Sequence, residues 1–144
     1  MIVATKSRKT TSVEHMPGGQ SPVRVLLVED TEDNRMMMRR LLELSGYEVS
    51  EAVNGVEAVL AAESQTPNVI LMDLSLPIVD GLAATRRIRQ LPELATVPII
   101  AVSAHDTADF HAEALAAGCD AYITKPIDYT ELEDLIMVFT AQQR

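Results

Sequence analysis

Residues 69–81 read VILMDLSLPIVDG. Four apolar residues in a row without polar alternation suit a strand covered by helices on both faces. The acid that closes the run, Asp73, then stands at the carboxyl end of that strand. The proline and the Asp80-Gly81 pair beyond it mark a loop followed by the start of a helix. Outward from this stretch the same unit recurs, a short apolar run followed by an amphipathic segment. Strands are expected at Val23–Val28, Glu48–Ala52, Val69–Met72, Val97–Val102 and Ala121–Ile123. Five βα units with right-handed crossovers are too few for an eight-fold barrel, which leaves an α/β fold, a three-layer doubly wound (βα)5 sandwich on a parallel sheet.

The helices carry start and stop signs. The first is expected over residues 32–45, with Met37, Leu41 and Leu44 on its buried stripe and Gly46 ending it. The second opens on the capping pair Asn54 and Glu57 and should bury Val56, Val59 and Leu60. The third follows Asp80-Gly81, and the fourth runs from Ala108 to a glycine stop at Gly118. The last opens on Asp128 and Glu131 and sets Leu132, Leu135, Ile136 and Phe139 at helical spacing. In the run Met36-Met37-Met38 the expectation is core plus helix surface rather than a docking patch.

Residues 1–22 contain Pro17-Gly18-Gly19 and Ser21-Pro22, are rich in Thr, Ser, Gly and Lys and lack apolar periodicity, so they are expected to form a flexible N-terminal arm, with one domain over 23–144. The net charge is −9. Because Lys6, Arg8 and Lys9 stand in the arm, the domain itself is more acidic still. Such a body repels phosphate backbones, which argues against direct nucleic-acid binding, and it makes a cation site plausible. No apolar run is long enough to span a bilayer, so no membrane association and a cytoplasmic location are expected. The single cysteine, Cys119, cannot form an internal disulfide and is expected to serve packing.

In a doubly wound sheet, ligands bind beyond the carboxyl ends of the strands. The first strand ends in Glu29-Asp30, the third in Asp73, the fourth in Ser103 and the fifth in Thr124-Lys125-Pro126. Three carboxylates, a hydroxyl and an ammonium would therefore meet in one small volume. Crowded carboxylates raise one another's pKa, and a divalent cation with hard oxygen ligands, magnesium above all, removes that conflict. A carboxylate nucleophile at Asp73 could form an acyl phosphate, with the cation and Lys125 neutralising the phosphoryl oxygens and Ser103 donating a hydrogen bond.

Together the segments Val28-Glu29-Asp30, Met72-Asp73-Leu74-Ser75-Leu76-Pro77-Ile78-Val79-Asp80-Gly81, Val102-Ser103-Ala104 and Thr124-Lys125-Pro126 resemble the receiver domain of two-component response regulators, over about residues 23–141. The resemblance implies the flavodoxin-like, CheY-like sheet order 2-1-3-4-5. It implies that Asp73 is the phospho-acceptor and that Asp30, Asp73 and the backbone carbonyl of Ser75 bind Mg2+, with Glu29 acting through water or as a weaker ligand. It further implies that Ser103 and Tyr122 are coupled switch residues and that the Lys125-Pro126 bond is cis. The implied partners are a histidine kinase or histidine phosphotransfer protein upstream and a protein docking on the helix 4, strand 5 and helix 5 face downstream. The receiver would catalyse its own phosphorylation and autodephosphorylation without otherwise being an enzyme. Since the chain ends just past the last helix, no fused output domain is expected on it, as in a single-domain shuttle or a piece of a hybrid kinase.

Two other classes fit the sequence less well. A hydrolase of the haloacid dehalogenase type uses a second aspartate two residues after the nucleophile, where this chain has Ser75. A pseudo-receiver usually lacks the acid pair or the lysine, and both are here. Alone, Asp73 would read as a loop cap and Lys125 as a solvated lysine. His15, His105 and His111 are scattered and are expected to be surface residues without partners.

Overall fold

The computed structural model describes residues 21–76, 79–141 and 143. The arm expected over 1–22 lies, apart from its last two residues, outside them. Five strands, β1 (Arg24–Val28), β2 (Glu48–Ala52), β3 (Val69–Asp73), β4 (Ile99–Ser103) and β5 (Ala121–Thr124), alternate with five helices. These are α1 (Glu32–Leu44), α2 (Gly55–Gln65), α3 (Gly81–Arg89), α4 (Ala108–Ala117) and α5 (Tyr129–Ala141), and a 3-10 turn occupies Pro92–Leu94. All pairings are parallel and the order is β2-β1-β3-β4-β5. The chain leaves β1 toward one side and returns to its other side as β3, so the topological switch point lies between them.

Alternation along the strands builds two cores. Val25, Leu27, Val69, Leu71, Ile100 and Ile123 pack against α1 and α5 through Met38, Leu42, Leu132 and Ile136. Leu26, Val28, Ile70, Met72, Ile99 and Ala101 pack against α2, α3 and α4 through small side chains, Ala58, Ala62, Ala84 and Ala114, with Ile88. Full burial of one large aliphatic side chain contributes about 1.5–3 kcal/mol. The fully buried Leu26, Ile70, Met72, Ile99 and Ile100 therefore make the central strands the chief source of stability, and they hold the carboxyl edge rigid.

Two helices enter with a different phase from the one expected. In α1 the buried residues are Met38 and Leu42, while Met37 and Leu44 are 58% and 75% exposed. A run of three methionines carries no phase of its own. The phase goes instead with Arg35 on the inner face, whose Nη1 donates to the Glu29 carbonyl (3.1 Å) and whose Nε pairs with Glu51 (3.1 Å). In α2 the buried face is Gly55, Ala58 and Ala62, Val59 is half-buried, and Val56 and Leu60 point outward. Close approach of the α3 side selects small residues there: a Cβ on Gly55 would lie 2.0 Å from the Val79 carbonyl oxygen.

Strand ends shift by a residue or two. β3 extends to Asp73, which pairs with Val102. β4 starts at Ile99 rather than Val97, because Pro98 has no N–H to give and contributes only its carbonyl, to the Ile70 amide (2.9 Å). Caps behave as the sequence indicates. Asn54 Oδ1 accepts from the Glu57 amide, Asp80 Oδ1 from the Ala83 amide, and Asp128 Oδ1 from the Thr130 and Glu131 amides. Gly118 ends α4 at φ 117°, a left-handed conformation that favours glycine. Met36 and Met37 lie on the surface, and Cys119 is buried in the core, where burial pushes its thiol pKa up.

Candidate active site at the carboxyl edge

Glu29 and Asp30 follow β1 directly, Asp73 is the last residue of β3, Ser103 the last of β4, and Lys125 follows β5. Parallel register stacks these ends side by side, with Val28 opposite Met72, Asp73 opposite Val102 and Ser103 opposite Thr124. The β3 end is gripped further by its neighbours. The Leu74 amide donates to the Val102 carbonyl (3.0 Å), and the Gly81 amide returns to the Leu74 carbonyl (3.3 Å). Gly81 is needed at that return, since a Cβ there would lie 2.3 Å from the Asp73 carbonyl oxygen and 2.7 Å from Leu74 Cα.

Carboxylate oxygens of Glu29, Asp30 and Asp73 lie within 4.8 Å of one another. Asp73 and Glu29 are buried, whereas Asp30 faces outward. Lys125 Nζ reaches over this cluster, 3.2 Å from Asp73 Oδ2 and 3.7 Å from Glu29 Oε1. The Ser75 amide donates to Asp73 Oδ1 (2.9 Å), and the Thr31 amide to Glu29 Oε2 (3.0 Å). One ammonium against three acids leaves an imbalance. Burial, only partly offset by the Thr31 amide and assisted by the Asp73 charge, raises the Glu29 pKa above the ordinary carboxylate value. For Lys125, burial pulls downward, but the charges of Asp73 and Glu29 outweigh it and its pKa is raised. A set of hard oxygen donors, two of the three acids buried, with surplus negative charge fits a magnesium-like cation.

Ser103 is buried, its Oγ accepts from the His105 amide (3.1 Å), and its carbonyl accepts from the Lys125 amide (2.8 Å). The Lys125-Pro126 bond is cis. Tyr122 lies further down β5, half-buried on an edge strand, and its hydroxyl donates to the His105 carbonyl (2.6 Å).

Two histidines differ from expectation. Both lie at the surface, but neither is without a partner. His105 stacks on Phe110 with ring centroids 4.2 Å apart. His111 stacks on Tyr122 at 3.9 Å, and its Nε2 meets Asp106 Oδ1 at 2.9 Å. Pairs that join a loop to the helix after it, or a helix to a strand, leave no periodic trace in a sequence. His15 lies outside the described residues. Arg35, which ties the Glu29 carbonyl to β2, was not singled out from sequence either; the nearest signal is its place one turn into the helix that follows the acid pair.

An open parallel sheet bearing an acid cluster and a lysine at its switch point defines a class of α/β domains that handle phosphoryl groups and hard cations. Comparison with known proteins narrows the class. The family model for the response regulator receiver domain matches residues 25–137. The chain is 42% identical over 106 residues to the polar-differentiation response regulator DivK of Brucella anthropi, an overlap of 74% of this chain and 86% of that protein. The receiver domain of a sensor histidine kinase from Pseudomonas aeruginosa, solved with a magnesium ion coordinated in the active site cleft, superposes with a TM-score of 0.79 at 36% identity, covering 84% of this chain and 99% of that one. The chemotaxis protein CheY4 of Vibrio cholerae gives 0.79 at 25% identity, covering 83% and 99%. The chain belongs to the response regulator receiver family, and it is a phospho-acceptor module of two-component signal transduction. No helix among the described residues is long and apolar enough to cross a membrane.

Proposed function

We propose that Asp73 is the phospho-acceptor of this receiver, which spans residues 23–144 behind an arm over 1–22. A carboxylate oxygen of Asp73 attacks the phosphorus of a phosphohistidine donor, the imidazole leaves, and an acyl phosphate remains. Lys125 places its ammonium against a phosphoryl oxygen, and Ser103 donates its hydroxyl to another once transfer is complete. Attack of water on the same phosphorus returns the free carboxylate and inorganic phosphate, which is autodephosphorylation. The observation that carries this reading is the 3.2 Å approach of Lys125 to Asp73 inside the acid cluster, although 52 residues separate them in sequence.

Glu29, Asp30 and Asp73, with the backbone carbonyl of Ser75, are the ligands we assign to magnesium. A bound ion there would supply positive charge against the phosphoryl oxygens and offset both the burial and the Asp73 charge that raise the Glu29 pKa. Ser103 and Tyr122 pass the change outward to the face of α4, β5 and α5, where a downstream protein docks. A histidine kinase or histidine phosphotransfer protein is the upstream partner, and the module works in the cytoplasm. The acidity of the domain speaks against direct nucleic-acid contact.

Acetyl phosphate with magnesium should add one phosphoryl group, read by intact-mass spectrometry. Asp73→Asn should abolish the adduct and a chelator should prevent it. Equal labelling of Asp73→Asn would move the acceptor elsewhere.

A further inference from the structure

Between Ser103 and the N-cap of α4, residues 104–107 form an exposed loop. Such a segment has no ladder of its own, so its position is set by whatever grips it. Residues outside the loop grip this one. Tyr122 on β5 holds the His105 carbonyl at 2.6 Å. Asp106 is held by His111 Nε2 on α4 at 2.9 Å. The His111 ring also lies against the Tyr122 ring, with centroids 3.9 Å apart and planes inclined by 22°.

The His105 peptide is thereby held from both sides, its N–H by Ser103 Oγ and its C=O by Tyr122. A hydroxyl has one proton and two lone pairs. With one lone pair engaged by the His105 N–H, the Ser103 proton is left to be donated, which is the role a phosphoryl oxygen on Asp73 requires. The arrangement persists only while the Tyr122 ring stays where it is. Tyr122 is half-buried on an edge strand, and the His111 ring covers one face of its ring. An ionised Asp106 accepts only, so His111 Nε2 carries the proton and the imidazole plane is fixed by that bond.

We propose that His111 is a positioning residue of the switch: bridging the Asp106 carboxylate and the Tyr122 ring, it holds the loop so that Ser103 presents its hydroxyl as a donor. His111 touches neither the acid cluster nor the phosphoryl group. The inference rests on the assignment of Asp73, Ser103 and Tyr122 made above. A stack together with a charge-assisted hydrogen bond biases such a loop by a factor on the order of ten.

The test uses the whole chain and the variants His111→Ala, His111→Phe, which keeps a ring against Tyr122, and His111→Gln, which keeps a polar reach to Asp106. In unphosphorylated protein, NMR signals of the Tyr122 ring and the His105 amide should move in His111→Ala, and His111→Phe should restore the Tyr122 ring signal in part. Phosphorylation by acetyl phosphate should slow by roughly three- to ten-fold in His111→Ala, with magnesium affinity unchanged and intermediate rates in the other two variants. Unmoved Tyr122 and His105 signals in His111→Ala, or an unchanged rate, would overturn the inference. A wild-type chain that takes no phosphoryl group on Asp73 would instead sink the reading of the site, and the NMR shifts would still decide whether His111 holds the loop.

Discussion

At the amino ends of β4 and β5, Arg89 spreads its guanidinium over the carbonyls of Gly118, Leu94 and Val97 and the carboxylate of Asp120, all within 3.0 Å. At the carboxyl ends of the same sheet, Glu29 and Asp73 share the ammonium of Lys125, and Asp30 joins their cluster with no ion pair to it. Both places hold charged groups sunk into the fold, but their accounts differ. Each Arg89 donor meets an acceptor, and Asp120 is in turn fixed by the Ile99 amide (2.9 Å). At the other edge like charges are held together and Glu29 is driven toward its neutral form. Polarity at the amino end is structural, whereas at the carboxyl end it is left incomplete, as a site awaiting a cation and an anion must be.

The largest expected effect follows from the amino end. Arg89→Ala removes the guanidinium donors from three carbonyls and leaves the Asp120 carboxylate with the Ile99 amide alone, and urea denaturation should show a loss of about 2 kcal/mol with an unchanged m-value. Magnesium binding should not change. A loss well under 1 kcal/mol would mean that water replaces the guanidinium and that the two ends do not differ as argued.

Close to it in size is Gly81→Ala. Its methyl group would collide with the Asp73 carbonyl oxygen and Leu74 Cα, both backbone atoms, so α3 must move away from the end of β3. We expect a cost of about 2 kcal/mol and slower labelling of Asp73, because the same displacement disturbs the acceptor. Stability lost without any change in labelling would separate the packing of α3 from the geometry of the site.

Asp30→Asn tests the incomplete end directly and should barely alter the fold. Removing one of three crowded acids should leave stability in magnesium-free buffer equal or higher, while the rise in Tm produced by magnesium should largely disappear. A destabilised apo protein would show that Asp30 is satisfied in the way Arg89 is.

The chemistry of this edge was legible in the sequence because the fold rule and the residue types agree. Runs such as Val25–Val28 and Val69–Met72 suit strands buried on both faces, and each is followed directly by a residue of the site. Helix phase was less legible. In GVEAVLAAESQ nearly every position of the early turns is apolar or small, so the choice between a Val56–Leu60 face and an Ala58–Ala62 face is made by the closeness of α3, a tertiary fact. Arg89 and the pairing of His111 with Asp106 and Tyr122 were invisible for a related reason. Their partners are carbonyls, carboxylates or a ring outside their own helices, and no spacing encodes them.

The smallest effect lies between the two extremes, at Glu51 on β2. This acid sits on the same edge as Glu29, one strand away, yet the hydrogen bond from Arg39 (2.8 Å), assisted by Arg35, outweighs its burial and lowers its pKa from 4.5. A carboxylate with a lowered folded pKa stabilises the protein fully above its unfolded value, and the contribution is lost as pH falls through the folded value. Glu29 has the opposite sign. Its raised pKa means that ionisation costs stability, a cost that is relieved as pH falls through the raised value toward 4.5. Because the Arg39 and Glu51 side chains are 39% and 29% exposed, solvent screening keeps the pair to under about 1 kcal/mol. Glu51→Gln should therefore lie slightly below wild type at pH 7, with the gap closing below pH 4.5 and shrinking in high salt. Glu29→Gln should lie at or above wild type at pH 7 in magnesium-free buffer, and that gap too should close on acidification. If both variants shift stability in the same direction at pH 7, neighbouring acids on this edge are not divided into satisfied and unsatisfied, and the contrast between them fails.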